Sequence, residues 1–423
     1  MTRLTLTFAF LLAASTAFAQ NYTNDEVFNL NSNPNSTHII YLDFTGYVTT
    51  RTNWNKETDI NRPTITTPVF SIDGNTAYSQ TELNMIREIW ARVSEDYAPF
   101  NVNVTTVAPT SDQLIKSGPH DDVYGVRVAI GGSSQDVLGN GSYGGIAYMD
   151  QYEQSVFGMA NLSPAFVFPA NLSNNTKNIA EAVSHEVGHN LGLKHDGRTP
   201  NEDYYYGNGV WAPIMGAGYS ASVTQWSNSS YPNANNNQDE LAIIARGLGY
   251  RADDYGNYID RTATMLTDFV TGSIADPYLA EFYLTGIIEQ NTDVDVFQFT
   301  IGEGGGEFSF EVISGIWSQA GTNLDVLAQL FYGSEENLLY RWDPQDTMGI
   351  DWKTVSLVDA GTYYFSLEGT GREGYYPKYG SLGTYAFRGS ILGLASSVPE
   401  PATLAIFGLG LAGLGLVCRR TRK

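Results

Sequence analysis

"HEVGHNLGLKHD", His185 to Asp196, places three of the chain's five histidines, one glutamate and two glycines in a single short stretch. The residues leading into it, "TKNIAEAVSHEVGHNLGL", read as a helix. His185 and His189 are four apart, so both imidazoles project from one face on successive turns. Zinc takes tetrahedral nitrogen ligands at about 2.0–2.1 Å, and this spacing supplies two of them. A third ligand from the next turn would lie in line with the first two. The chain must therefore leave the helix, and Gly192 can adopt the left-handed conformation that ends one. His195 then follows at turning distance. The fourth position is left to water, the mark of a catalytic rather than a structural zinc. Glu186 sits about 100° round the helix from His185, beside the metal position but not on it. There it can take a proton from a water whose pKa zinc lowers to about 7, and later pass it to a leaving amine.

The totals frame this site. At 423 residues the chain is long for one domain, and two are expected together with processing segments. Hydrophobic residues make up 42%, enough for packed cores, while charged residues are only 16%. Gly, Asn, Ser, Thr and Tyr abound, a composition that suits β-rich extracellular proteins. The net charge of −22 argues against nucleic acid as a partner, because phosphate binding needs clustered Lys and Arg. The single cysteine, Cys418, leaves the fold without a disulfide.

Both ends read as addresses. "MTRLTLTFAFLLAASTAFAQ" has Arg3, an apolar run, and small residues at Ala17 and Ala19. That pattern predicts a signal peptide over 1–19, cut by signal peptidase. At the other end "VPEPATLAIFGLGLAGLGLVCRRTRK" joins Val398-Pro399-Glu400-Pro401 to an apolar stretch, Ala402 to Val417, and a basic tail. The stretch is short for a membrane span but serves as a transient anchor, with the tail arginines on the cytoplasmic side. The order of the three parts resembles the PEP-CTERM sorting signal of Gram-negative bacteria, over 398–423. That resemblance implies an exosortase-type enzyme as partner and a secreted or cell-surface destination.

Between the ends, 20–36 is polar and Asn-rich and reads as a flexible leader. "HIIYLDFTGY" reads as a strand, and Leu83, Ile86, Trp90, Val93 and Tyr97 recur at helical spacing. Further strand candidates, "FNVNVTTV", "YGVRVAIGG", "GGIAYMD" and "AFVFPANL", precede the histidine helix. The sequence therefore predicts an α/β or α+β domain over 37–256, with the histidine motif on its last long helix. After a linker at 257–264, "DVDVFQFTI", "GEFSFEVISG", "NLDVLAQLFYG" and "KTVSLVDAGTYYFSLEGTG" alternate between turn residues. They predict an all-β sandwich over 265–393. Alternation along its strands predicts that one of Tyr363 and Tyr364 is core and the other exposed.

The spacing of two histidines, a glycine and a third histidine resembles the metzincin metalloproteases, and Asp196 after the third histidine resembles their bacterial reprolysin or adamalysin-like members. The resemblance implies an α+β catalytic domain, a twisted mixed sheet with an active-site helix, and a zinc-dependent endopeptidase acting on proteins or peptides. His185, His189 and His195 would bind one zinc ion and Glu186 would be general base and acid. Gly192, Asp196 and Met215 would support the site, Met215 (in "WAPIMGAGY") as an apolar floor under the metal and Asp196 as a structural brace. Ala217 stands where some metzincins carry a metal-approaching tyrosine, and Tyr219 follows two residues on. "GGIAYMD", Gly144 to Asp150, is a candidate edge strand for pairing with substrate backbone. The sandwich resembles the bacterial pre-peptidase C-terminal domain. A rival reading is a non-enzymatic surface adhesin or biofilm-matrix protein with a structural or relic zinc site. Calcium is a second conceivable metal: Asp253-Asp254 and Asp293 with Asp295 offer oxygens, but no calcium-loop motif is present and they read as solvated turns.

Overall fold

The computed structural model describes residues 21–57, 59–149, 155–271 and 279–395. The signal peptide expected at 1–19 and the sorting tail expected at 398–423 lie outside them. No helix among the described residues is long and apolar enough to cross a membrane. The chain divides into two compact units, one ending at Arg251 and including Ala320–Asn323, the other made of Ala252–Gln319 and the chain from Leu324.

The first unit is α+β. Its strands are β1 (His38–Asp43), β2 (Tyr47–Thr50), β3 (Thr64–Thr67), β4 (Asn103–Thr105), β5 (Tyr124–Ile130), β6 (Gly145–Ile146), β7 (Ala165–Val167), β8 (Trp211–Pro213) and β9 (Val223–Gln225). Its helices are α1 (Asn24–Val27), α2 (Gln80–Asp96), α3 (Ser134–Val137), α4 (Thr176–Leu191) and α5 (Glu240–Leu248). The main sheet runs β4-β1-β5-β7-β6. β1 pairs in parallel with β4 and β5, and β5 with β7, while β6 joins β7 antiparallel at the edge. The sheet is thus mixed.

Helix α2 starts at a reciprocal cap, in which Ser79 and Glu82 satisfy each other's backbone N–H groups. Its stripe of Leu83, Ile86, Trp90 and Val93 is buried to 5% exposure or less. Each such side chain contributes roughly 1.5–3 kcal/mol by leaving water. Helix α4 is capped by Asn175 and buries Ile179, Val183, Val187 and Leu191. Tyr97, at the end of α2, donates its hydroxyl hydrogen bond to the Ser184 carbonyl, tying the two helices together.

The stretch expected to be a flexible leader is instead anchored from Thr23 onward. Thr23 and Glu26 form a capping box for α1, and Val27 is fully buried. Leu30 N donates to Thr106 Oγ1, and Asn103 Oδ1 accepts from Ser32 N and Asn33 N. Apart from the Thr23–Glu26 cap, these bonds are made by the leader's backbone N–H groups, and the accepting side chains belong to β4 and the residue that follows it.

The second unit is a β-sandwich. Its strands are β10 (Thr264–Met265), β11 (Leu279–Ile288), β12 (Asp295–Ile301), β13 (Gly306–Ser314), β14 (Val326–Tyr332), β15 (Leu338–Trp342), β16 (Ile350–Leu357), β17 (Gly361–Gly369) and β18 (Gly383–Leu392). One sheet runs β10-β12-β17-β14-β15 and the other β11-β18-β13-β16. Aromatic rings fill the space between them. Phe365 meets Phe310 and Phe387 at centroid distances of 4.7 and 4.9 Å, and Phe299 meets Phe308 at 4.8 Å.

Two expectations for this region change. Residues 257–264 are not a free linker, since Val294 N donates to Asn257 Oδ1 at 2.7 Å and Ala263 is buried. Tyr363 and Tyr364 are both buried, at 1% and 8% exposure. β17 is an inner strand, and on its outer face Tyr364 packs with Ala263, Val296 and Phe331. The segment after residue 256 covers what alternation alone would leave in water.

Candidate metal centre

His185 and His189 lie in the last turns of α4, and Gly192 ends the helix with φ +103°. A side chain would be strained at that angle, so glycine is what lets the backbone turn. His195 follows from outside the helix. One nitrogen from each of the three imidazoles can be chosen so that all three lie within 4.8 Å of one another. His189 Nε2 and His195 Nε2 are 3.0 Å apart. Tetrahedral ligands at zinc distances stand about 3.3 Å apart, so this pair is close to ligand spacing.

The orientation of two rings comes from main-chain carbonyls. His185 Nδ1 is 2.9 Å from the Ile214 oxygen and His189 Nδ1 is 2.8 Å from the Leu193 oxygen. A carbonyl only accepts, so each Nδ1 carries the proton and each Nε2 is left as the ligand-capable nitrogen. Burial pushes all three histidines below their ordinary pKa, His189 to about 4. They stand as neutral imidazoles, the form that binds a transition metal. The donor set fits zinc.

Glu186 is 6% exposed, and burial raises its carboxyl to about 8. It lies against β6: a methyl group on Gly145 would come within 2.6 Å of its Cγ and Oε1. Met215 is fully buried below α4, and a methyl on Gly188 would meet its sulfur at 2.6 Å. The missing side chain at Gly188 therefore makes room for the methionine. Asp196 is 1% exposed, its Oδ1 accepts from Asn236 Nδ2 at 3.0 Å, and its backbone N donates to the Met215 carbonyl at 2.8 Å. Burial lifts the Asp196 carboxyl to about 6. The loop carrying Met215 is fastened to α4 by Lys177, which donates to the Gly218 carbonyl, and by Thr224, which donates to Glu181.

Two contacts have no signal in the sequence pattern. The Tyr204 ring lies 4.2 Å from the His195 ring. Gln238 clamps the turn between the last two histidines, accepting from Lys194 N at 2.7 Å and donating to the Gly192 carbonyl at 3.0 Å. Tyr219, noted in the sequence, stands near the site: a methyl group on Gly144 would come within 3.3 Å of its hydroxyl oxygen, and burial with the charges of Glu186 and Glu181 raises that hydroxyl to about 12. β6 is an edge strand of two residues, and Asp150, the end of the expected substrate strand, lies outside the described residues. His38 and His120 take no part: His38 bonds the Asn101 carbonyl through Nδ1, and His120 is exposed.

Residues 73–196 match the metallo-peptidase family M12B, reprolysin-like. The matched segment runs from ahead of α2 through the third histidine and Asp196, and at the level of the family it is similar to a zinc metallopeptidase. Residues 397–423 match the PEP-CTERM protein-sorting motif, which points to export and to a surface or secreted location in a Gram-negative bacterium. No curated protein matches the chain. Among solved structures, the pre-peptidase C-terminal domain of a collagenase from Bacillus anthracis aligns at 14% identity and TM-score 0.20, over 32% of this chain and 95% of that one. PliG of Aeromonas hydrophila, a periplasmic inhibitor of g-type lysozyme, aligns at 10% identity and TM-score 0.19, over 31% and 96%.

Proposed function

We propose that the chain is a secreted zinc-dependent endopeptidase. The observation that carries this reading is the meeting of three neutral, carbonyl-oriented or turn-held imidazoles beside one buried carboxylate. His185, His189 and His195 hold the metal. Zinc held there would supply Lewis acidity and lower the pKa of a bound water. Glu186 accepts that water's proton and delivers it to the leaving amine. Burial raises the Glu186 carboxyl, and a cation held by the three histidines would favour its ionised, basic form. Met215 fills the space under the histidines, and Gly192 and Asp196 fix the turn that brings His195 round.

In this reading 37–256 is the catalytic domain, 265–393 a sandwich appendage, and the two ends serve signal peptidase and an exosortase-type enzyme during export. Protein or peptide chains are the substrates.

The test uses the full chain beside its Glu186→Gln form, with an unfolded protein as substrate and with chelator followed by zinc. The expected result is zinc-restored cleavage by the parent, and at least about 100-fold less by the variant at equal zinc content. If both proteins hold zinc and neither cleaves, the adhesin or matrix-protein reading replaces this one.

A further inference from the structure

In the sandwich unit, the chain just before the first strand and the turn from β11 to β12 bring five carboxylates together: Asp253, Asp254, Glu289, Asp293 and Asp295. The sequence reads the four aspartates as solvated turns; Asp253 and Asp254 are exposed, while burial corrects that reading for Asp293 and Asp295. Glu289, Asp293 and Asp295 are only 2%, 6% and 0% exposed. One carboxylate oxygen from each of Asp253, Asp293 and Asp295 can be chosen so that the three lie within 4.8 Å of one another.

Each group is held by part of its hydrogen-bonding capacity. Asp293 Oδ2 accepts from Glu289 N at 2.9 Å, Asp295 Oδ2 from the Tyr385 hydroxyl at 2.5 Å, and Asp254 Oδ2 from Ile287 N at 3.1 Å. Asp253 accepts from Tyr255 N and from Asn257 Nδ2. The opposite oxygens, Asp293 Oδ1, Asp295 Oδ1 and Glu289 Oε2, are buried and meet no hydrogen-bond donor. The charges that bear most strongly on Asp254, Glu289 and Asp295 are those of the other carboxylates. Buried like charges with unsatisfied oxygens are costly unless they take up protons or a cation compensates them.

We propose that Asp253, Asp293 and Asp295, lined by Glu289 and Asp254, form a divalent cation site of the calcium class. Calcium binds six to eight oxygens at about 2.3–2.6 Å, so oxygens sharing one ion stand up to about 5 Å apart. An all-oxygen donor set selects against zinc, which the imidazole cluster suits. Dehydrated carboxylates fixed by the fold suit calcium better than magnesium, which keeps its waters. The ion would cross-link the segment at Asp253 to the start of β12 and so fasten the entry of the sandwich to its first hairpin.

The test uses the full chain in a Glu186→Gln background, so that self-cleavage is absent, with zinc supplied and calcium first removed. Calorimetric titration with calcium chloride is followed by heat unfolding with and without about 1 mM calcium. The expected result is one calcium-specific uptake and a rise of several degrees in the unfolding temperature, with magnesium giving a weaker effect. Asp295→Asn should abolish both, and Asp253→Asn, at an exposed position, should weaken binding at least tenfold, with zinc content unchanged in each. Without calcium, both variants should unfold at or above the parent's temperature, because an amide relieves the repulsion. No calcium uptake by the parent, equal uptake by the Asp253→Asn form, or equal binding of magnesium would overturn the assignment.

Discussion

The α-carbon of Gly145 faces the Glu186 carboxylate so closely that a single added methyl would stand 2.6 Å from Cγ and Oε1. The edge of the sheet and the proposed base thus share one small volume. Gly145→Ala should displace the Glu186 side chain, which is flexible, rather than the backbone. Peptide hydrolysis should fall about 10- to 100-fold, since misplacement by an ångström or so is enough for that loss. Zinc content should be unchanged and the unfolding free energy altered by less than about 1 kcal/mol, and assay beside calorimetry checks both.

Met215 and Gly188 make the reciprocal pair beneath the histidines, with the sulfur lying where a Gly188 side chain would be. Met215→Ala should open a cavity there and cost about 2–4 kcal/mol of stability. Met215→Leu, similar in volume, should cost less than about 1.5 kcal/mol. Chemical denaturation of the zinc-loaded proteins compares the two.

Gln238 holds both sides of the turn that delivers His195. Gln238→Ala removes two hydrogen bonds from that turn and should lower zinc affinity about tenfold, as loss of outer supports around a metal does. Competition with a chelating dye reads this directly. An unchanged affinity would mean that Gly192 and Asp196 suffice to place the third ligand.

Asp325, in the sandwich, is 1% exposed and accepts from the Tyr376 hydroxyl at 2.7 Å, and burial lifts its carboxyl to about 6. Its folded pKa is raised above the unfolded value, so the folded state holds more protons between the two. Its contribution is most favourable below about pH 4 and is lost as pH rises through about 6. Asp325→Asn should remove that fall, gaining on the order of 1–2 kcal/mol on the parent from pH 4 to pH 7. Denaturant titrations across that range check the slope.

What the sequence makes legible is local. The α4 motif carries its own geometry, because the spacing of His185 and His189, the glycine stop and the following histidine are all fixed within a few turns. The stripe of α2 and the alternation of the sandwich strands are legible for the same reason. Contacts set by tertiary approach are not. Tyr204 reaches His195 through a loop with no periodic pattern, and Gln238 reaches Gly192 from the entrance of another helix. Tyr364 is buried by a segment that reads as linker, and Asp253 joins Asp293 and Asp295 only once the sandwich has closed.

The acceptors that orient His185 and His189 are the main-chain oxygens of Ile214 and Leu193. Every amino acid carries that oxygen, so no exchange of side chain at 193 or 214 can delete it. Related chains are therefore free to vary in residue type at these two positions while keeping ring tilt and tautomer, provided the backbone keeps its path. The constraint moves to whatever shapes that path, such as the reversal at Gly192 and the floor around Met215, where drift would be felt at the metal.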